Sequence, residues 1–319
     1  MNAPLNTMED YKVNYIKFNF SSKKKHILNH YSEEIFIINL STNKIRRNYI
    51  MMLMKKYKIN FTLVMVEPIS NNLFSILNKN KKLTKAEIGC SLSHLYCLNK
   101  IIKDQLNNAV ILEDDIIFHK DFSNMFAKII KKQNYDFLLL GACDFSFSKI
   151  NFENVTEDGL YHPNPKSIKV YGAHAIYYSL KGATRMYELT NANLYFFDRD
   201  YHTMFDYFPA TSFICYPNLI VSDISTSNIN HNYPFFSDAE KNYYFDCFTE
   251  FKFKNYNFLF LSLFKINHSI TIKETDTYET YLNKLVDFTF KNPDHQKEIK
   301  NRLVMDFFDI NDVMFLLNF

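Results

Sequence analysis

The chain has 319 residues, 47% hydrophobic and 17% aromatic, enough apolar side chain to build a large core in one large domain or two small ones. Its 37 basic and 34 acidic residues leave a net charge of only +3, so we expect no nucleic-acid partner. The five cysteines are scattered and form no Cys-x-x-Cys pair, which argues against a disulfide framework or a structural zinc site.

The first residues carry little pattern. Residues 1–33 are polar and rich in Asn and Lys, so we expect an N-terminal extension that packs loosely or not at all. From Glu34 the organised fold begins. Residues 35–40 form a short apolar run typical of a buried parallel strand, and Ser41 or Thr42 can cap the helix that follows. Residues 61–66 predict the next strand, followed by an irregular Asn-rich stretch.

Thr84 and Glu87 form a capping box, which predicts a helix that runs to about Asp104. Its predicted inner face consists of apolar residues at helical spacing: Ile88, Leu92, Leu95 and Ile102. Further strands are predicted over 109–112, 137–141, 169–179 and 211–216, and further helices over 121–132 and 180–189. This alternation predicts an α/β fold with a mixed, mostly parallel sheet flanked by helices.

Three consecutive acids, Glu113, Asp114 and Asp115, directly follow one of these strands. Ligands bind at the carboxyl ends of strands in open α/β sheets, and clustered carboxylates at a core edge need a cation or hydrogen bonds to compensate them. Carboxylate oxygens suit Mg²⁺ or Mn²⁺, which can bridge phosphate oxygens and neutralise a departing diphosphate. The acids alone would also suit a solvated loop, a phosphatase, a nuclease or a phosphoacceptor domain.

Five stretches, in order, resemble glycosyltransferase family 25, which holds bacterial lipooligosaccharide glycosyltransferases and the collagen glycosyltransferase domains. They are residues 37–40 with Arg46 and Arg47, residues 83–94, residues 112–115, residues 171–183, and residues 197–200 with 216–217 and 222–224. The long run at 83–94 is the most specific of these. The family's proline is missing before Phe197, which leaves the register of Asp198 against Asp200 open.

The resemblance implies a GT-A type nucleotide-binding domain over residues 34–240, a divalent cation (Mn²⁺ or Mg²⁺) and transfer with inversion. It implies a UDP-sugar donor carrying galactose or glucose, and a saccharide or hydroxylated protein acceptor of the lipooligosaccharide or hydroxylysine type. Residues 241–319 match no motif of the family. We expect them to form a C-terminal extension packed on the main domain, with an acceptor surface, a dimer contact or a membrane contact as the alternatives.

Roles at the site follow from the resemblance. Glu113 and Asp115 are the expected metal ligands. An inverting transfer needs one carboxylate as general base, for which Asp198 is the first choice and Asp200 the second.

The expected donor-binding residues come from several stretches. Asn39 stands at the end of the first strand, where an amide can contact a uracil or ribose edge, and an arginine one loop further can reach phosphate. The full predicted set is Asn39, Arg46, Arg47, Ser91, His94, Asp114, Gly172 and His174. His94 is alternatively a core-edge histidine that holds its helix to the sheet, and Asp223 or His231 is a candidate third metal ligand.

Two other hypotheses for the function remain open: a metal-dependent nucleotide-sugar hydrolase that activates water, and a sugar-nucleotide-binding module without activity.

The N-terminal residues lack the basic segment and the following apolar region that are typical of a signal peptide. No uncharged apolar run reaches the roughly 18 to 20 residues that a membrane span needs. We therefore expect a cytoplasmic protein, with peripheral contact at a membrane face left open. The composition fits an AT-rich bacterium or a large virus, and for a viral protein the expected location is the host cell or the virion. The oligomeric state is not predicted.

Overall fold

A computed structural model describes residues 11–20, 25–78, 83–119, 121–144, 156, 158–163, 170–192, 194–215 and 218–222 of the chain. The strands in this part are β1 (Val13–Phe18), β2 (Glu34–Leu40), β3 (Phe61–Val66), β4 (Asn108–Glu113), β5 (Ile116–Phe118), β6 (Phe137–Leu139), β7 (Cys143–Asp144), β8 (Leu160–Tyr161), β9 (Val170–Tyr171), β10 (Ala175–Ser179), β11 (Ser212–Cys215) and β12 (Ile220–Ser222).

The α-helices are α1 (Ile27–Tyr31), α2 (Lys44–Tyr57), α3 (Asn71–Leu77), α4 (Lys85–Lys103), α5 (Phe122–Ile130), α6 (Leu180–Ala192) and α7 (Tyr201–Tyr207). A short 3-10 helix, Phe197–Asp200, leads directly into α7.

Eight strands form one mixed sheet in the order β1-β3-β2-β4-β10-β6-β11-β8. Strands β3, β2 and β4 are mutually parallel, β10 runs against β4 and β6, and β11 is parallel to β6. Five strands therefore share one direction, and their carboxyl ends meet at one edge of the sheet. The predicted α/β fold with a mostly parallel sheet is confirmed.

Strand alternation divides the core into two layers. On β4, Ala109 and Ile111 pack with α4, α6 and α7, whereas Val110 and Leu112 pack with α1, α2 and α5. Each fully buried aliphatic or aromatic side chain in such a layer contributes about 1.5–3 kcal/mol relative to exposure. The sheet is thus covered on both faces, which explains why its central strands read as continuous apolar runs.

The expected loose N-terminal extension is wrong for the residues that the structure describes. Strand β1 pairs with β3 over six residues, from Val13 opposite Val66 to Phe18 opposite Phe61, and α1 packs beside α5. Its exposed pattern hid it from sequence reasoning, because β1 is an edge strand whose stability comes from backbone pairing and not from burial. The domain boundaries themselves stay a prediction.

Local signals predicted α4 well and α2 less well. Thr84 and Glu87 form the predicted capping box, and α4 ends before Asp104. Ile101, and not Ile102, is the buried residue of the last turn. The cap of α2 is Asn43, whose side chain accepts a hydrogen bond from the Arg46 backbone, so the expected Ser41 or Thr42 cap is wrong.

Two other boundaries differ. The predicted irregular stretch contains α3, which Ser70 caps. The predicted strand over 169–179 is interrupted at Gly172, whose φ of 101° lies in the left-handed region that favours glycine. Within the described residues, no helix has the length and apolarity needed to cross a membrane. The predicted extension over 241–319, Asp223 and His231 lie outside the described residues.

Candidate functional site

The predicted site residues converge at the carboxyl edge of the sheet. Ile38 pairs with Glu113 across β2 and β4, which brings Asn39 beside Asp114. On the other side of β4, the Glu113 amide donates to the carbonyl of His174 at 2.9 Å. Three separate stretches of the sequence therefore meet at the end of β4.

Asp114 and Asp115 share one cation, Arg46. Its Nη1 lies 3.1 Å from Asp114 Oδ1, and its Nη2 lies 3.1 Å from Asp115 Oδ2. The three side chains are only 13%, 8% and 7% exposed. Arg46 lies in the first turn of α2, where the helix dipole disfavours a positive charge. The ion pairs with Asp114 and Asp115 offset this unfavourable interaction, and they also offset the cost of burying the two carboxylates.

Asn39 completes this side of the site. Its Nδ2 donates to Asp114 Oδ2 at 2.6 Å and to the Asn43 carbonyl at 3.3 Å. Its Oδ1 is buried and has no hydrogen-bond partner in the described part of the chain. Burial raises the pKa of Asp114, although the charge of Arg46 and the Asn39 hydrogen bond act against this shift. Asn39 therefore orients Asp114, and its contact with a nucleotide stays a prediction.

Glu113 turns to the opposite side, toward α4. As the last residue of β4 it continues the face of Ala109 and Ile111. His94 Nε2 lies 3.3 Å from Glu113 Oε1, and the Cys90 thiol donates to the same oxygen at 3.6 Å. Cys90 and His94 are four residues apart and so share one face of α4.

The electrostatics of Glu113 favour its charged form. Burial alone would raise its pKa, but the hydrogen bond and charge of His94, the charge of His174 and that of Arg46 lower it overall. Because Glu113 is then ionised, His94 Nε2 acts as the donor. Burial raises the pKa of the Cys90 thiol well above its usual value, and the charge of Glu113 adds to this effect.

Asp198 is held in the 3-10 helix after α6. Its Oδ2 accepts the Gly172 amide at 2.8 Å, and the Tyr201 hydroxyl donates to the Gly172 carbonyl at 3.2 Å. The pKa of Asp198 is raised to about 6, mainly by burial and in smaller part by the charge of Glu113, against the hydrogen bonds from the Gly172 and Asp198 amides. A carboxylate with such a pKa is suited to proton transfer near neutral pH.

The segment that carries Asp198 is fixed to α4 by two contacts. Ser91 donates a hydrogen bond to the Tyr195 carbonyl, and Phe197 stacks on the His94 ring with centroids 4.1 Å apart. Arg199 lies over the Tyr195 ring, with its guanidinium carbon 4.4 Å from the centroid. Ser91 and His94 thus join the base candidate to the acidic triplet, and their contact with the donor stays a prediction.

His174 is buried behind the edge. Its Nε2 donates to the Ile220 carbonyl at 3.1 Å, and only 1% of the residue is exposed. A Cβ at Gly141 would lie 1.8 Å from that carbonyl oxygen and 2.7 Å from His174 Nε2. His174 therefore connects the end of β4 to β12 by hydrogen bonds, and this geometry does not support its predicted place in a sugar pocket. Gly172 lies beside Asp198 as predicted.

Two further predicted residues are Arg47 and Asp200. Arg47 points away from the carboxylates and donates to the Ser41 carbonyl at 3.0 Å. Asp200 precedes α7, and its side chain makes no capping hydrogen bond there. Sequence reasoning missed Cys90 and Phe197 as site residues, although the four-residue spacing of Cys90 and His94 was a usable signal.

Two groups of side chains could hold a cation. Asp114 and Asp115, next to the unpartnered Asn39 amide oxygen, offer the hard oxygen ligands that Mg²⁺ or Mn²⁺ prefers. Cys90, His94 and Glu113 place one ligand atom each within 4.8 Å of one another, a set that suits a softer ion such as Zn²⁺. The predicted ligand pair of Glu113 and Asp115 is thus divided between the two groups.

Comparison with known proteins identifies the family of this chain. The family described as Glycosyltransferase family 25 (LPS biosynthesis protein) matches residues 32–198, more than half of the chain. The chain belongs to glycosyltransferase family 25. The matched region contains β2, α4, the acidic triplet and Asp198, so this family 25 chain keeps its candidate site within the family region.

Two curated relatives are galactosyltransferases by name. Procollagen galactosyltransferase 2 of Homo sapiens is 27% identical over 112 residues, and that of Mus musculus is 27% identical over 115 residues. Each match covers 31% of this family 25 chain and 18% of the relative, so the chain spans a small part of their length.

Proposed function

We propose that this family 25 protein transfers a hexose, galactose or glucose, from a UDP-sugar to a hydroxyl group with inversion at the anomeric carbon. The observation that carries the proposal is the meeting of an acidic strand end with the half-buried carboxyl of Asp198, inside the region that matches the family. The galactosyltransferase relatives support the choice of sugar. A saccharide or a hydroxylated protein is the proposed acceptor.

The donor is proposed to bind over the carboxyl edge of the sheet in the manner of GT-A enzymes. Asp114 and Asp115 would hold a divalent cation, Mn²⁺ or Mg²⁺, which when bound neutralises charge on the diphosphate. Asn39 fixes the orientation of Asp114 through its 2.6 Å hydrogen bond. Glu113, on the α4 side, keeps negative charge close to Asp198 and so supports its raised pKa.

Asp198 is the proposed general base. Its carboxylate takes the proton of the acceptor hydroxyl while the acceptor oxygen bonds to the anomeric carbon. The bond between that carbon and the diphosphate oxygen breaks, and UDP leaves with the electron pair. The Gly172 amide donates to Asp198 Oδ2 and so fixes the orientation of the carboxyl group. Asp200 is the alternative base.

The test is UDP release from a panel of UDP-sugars with Mn²⁺, with and without EDTA, and with and without saccharide and hydroxylysine-peptide acceptors. We expect release with one sugar, loss of release with EDTA, and loss in Asp115→Asn. Asp104→Asn, an exposed acid that pairs with Lys100, is the matched control and should behave as wild type.

The products separate the competing functions. Formation of a glycoside whose anomeric configuration is inverted, seen by NMR, supports transfer by the proposed route. Free hexose formed at the same rate with or without acceptor would make the protein a nucleotide-sugar hydrolase. No release, and no shift in melting temperature with any UDP-sugar and Mn²⁺, would leave a binding module without activity. The predicted cytoplasmic location and membrane contact stay predictions.

A further inference from the structure

Arg46 occupies the same carboxylates that would bind a cation. Three of the four carboxylate oxygens of Asp114 and Asp115 accept from Arg46 or from Asn39. Arg46 is bidentate across two residues, with one Nη on each carboxylate at 3.1 Å. A divalent cation that used the same oxygens would meet this guanidinium at close range.

Electrostatic repulsion disfavours the binding of Arg46 and a divalent ion to the same carboxylates at the same time. Arg46 already offsets part of the negative charge of Asp114 and Asp115, and all three side chains are largely buried. A divalent ion on the same carboxylate oxygens would lie close to the guanidinium, with little water between the two cations to screen their repulsion. The ion alone must therefore displace Arg46 or bind weakly. If a diphosphate arrives with the ion, its negative charge offsets both cations and offers Arg46 new oxygen acceptors.

The neighbouring arginine does not share this position. Arg47 donates to the Ser41 carbonyl and to Met65 Sδ and does not contact the acids. His94, on the other side of β4, faces Glu113 instead. Of the two adjacent arginines, Arg46 is thus the one that contacts Asp114 and Asp115.

We propose that Arg46 is a built-in counter-ion of the cation site, which leaves Asp114 and Asp115 when a divalent ion binds and then holds the donor's diphosphate. This inference rests on the proposed function. It makes cation and nucleotide binding mutually dependent: each alone binds weakly, and together they bind tightly. When no donor is present, the Arg46 side chain offsets the charge of the buried Asp114 and Asp115.

The test measures Mn²⁺ binding to the full chain, from the EPR signal of free Mn²⁺, without and with UDP. In the absence of nucleotide, Arg46→Met is expected to bind Mn²⁺ about ten-fold more tightly than wild type. Arg47→Met, which removes the same charge from the adjacent residue, should change Mn²⁺ affinity by less than about two-fold, because solvent and salt screen a charge that does not touch the acids. Arg46→Lys should fall between wild type and Arg46→Met, and it serves if Arg46→Met does not fold.

Nucleotide completes the test. UDP should tighten Mn²⁺ binding to wild type by about ten-fold and should do so less in Arg46→Met. Equal or weaker Mn²⁺ binding in both Arg46 variants would overturn the proposal, as would an equal gain in Arg47→Met. If the Arg46 variants gain Mn²⁺ affinity but UDP has no effect on any protein, the counter-ion role stands and the proposed donor site is wrong.

Discussion

The acidic triplet at the end of β4 has two sides, and they are neutralised in different ways. On the α2 side, Asp114 and Asp115 face a guanidinium that keeps its charge at any pH at which proteins fold. On the α4 side, Glu113 accepts hydrogen bonds from the His94 imidazole and the Cys90 thiol. One strand end thus carries a side that is neutralised by an arginine and a side that is held by hydrogen bonds.

This difference follows from where each side chain points. Glu113 continues the strand alternation and is directed to α4, whereas Asp114 and Asp115 follow the strand in a turn. Asp198 joins the α4 side through the stack of Phe197 on His94. Adjacent acidic residues can therefore face different partners when a strand ends between them, as β4 does between Glu113 and Asp114.

The largest effect should come from Asp198→Asn. Removal of a general base is expected to lower the transfer rate by about 10²–10⁴-fold, because no carboxylate then takes the proton from the hydroxyl group of the acceptor substrate. In wild type, kcat/KM should fall as pH drops below the Asp198 pKa of about 6, since the base must be ionised. Asp200→Asn should keep both the rate and this pH profile. If Asp200→Asn loses them instead, Asp200 is the base.

Arg46→Met should have the largest effect on stability. Two buried carboxylates lose their cation, so we expect the free energy of unfolding to fall by about 3–5 kcal/mol in urea titrations. Arg47→Met, which loses only polar contacts to Ser41 and Met65, should cost about 1 kcal/mol. Added Mn²⁺ should restore part of the loss in Arg46→Met. Equal losses in the two variants would mean that the α2 side is not neutralised by Arg46.

The pH dependence of stability gives a third effect on the α4 side. The folded pKa of Asp198, about 6, lies above its unfolded value of 3.8, so the folded state keeps a proton that the unfolded chain releases first. Its contribution to stability is complete below pH 3.8 and is lost as pH rises through about 6, by up to about 3 kcal/mol. Asp198→Asn should therefore gain stability over wild type across this window and hold the gain at higher pH. Urea titrations at several pH values that show parallel curves would contradict the raised pKa.

The smallest effect should come from Cys90→Ser. The thiol donates one long hydrogen bond of 3.6 Å to Glu113, and a hydroxyl can replace it, so we expect a change of less than about 1 kcal/mol in unfolding free energy. A large loss of stability together with loss of bound zinc, measured by metal analysis of the purified protein, would show that Cys90, His94 and Glu113 hold an ion instead.

Local sequence determined much of the scaffold. The apolar runs of β2, β3 and β4 and the capping box of α4 are encoded in adjacent residues, and the structure has them where the pattern predicts. The place of the acidic triplet at the carboxyl edge follows from the strand direction alone. Strand β1 was missed because its signal is backbone pairing with β3, which no periodicity records.

Only the tertiary structure decided which side chains meet. Arg46 and Asp114 are 68 residues apart and Gly172 and Asp198 are 26 apart, so no local pattern could pair them. From the sequence we expected one of the two arginines, Arg46 or Arg47, at the phosphate or ribose of the donor and Glu113 with Asp115 on a cation, and both expectations stay predictions. The fold turned Glu113 toward α4 and placed Arg46 on Asp114 and Asp115, because a buried charge needs a partner among the groups that packing brings within reach.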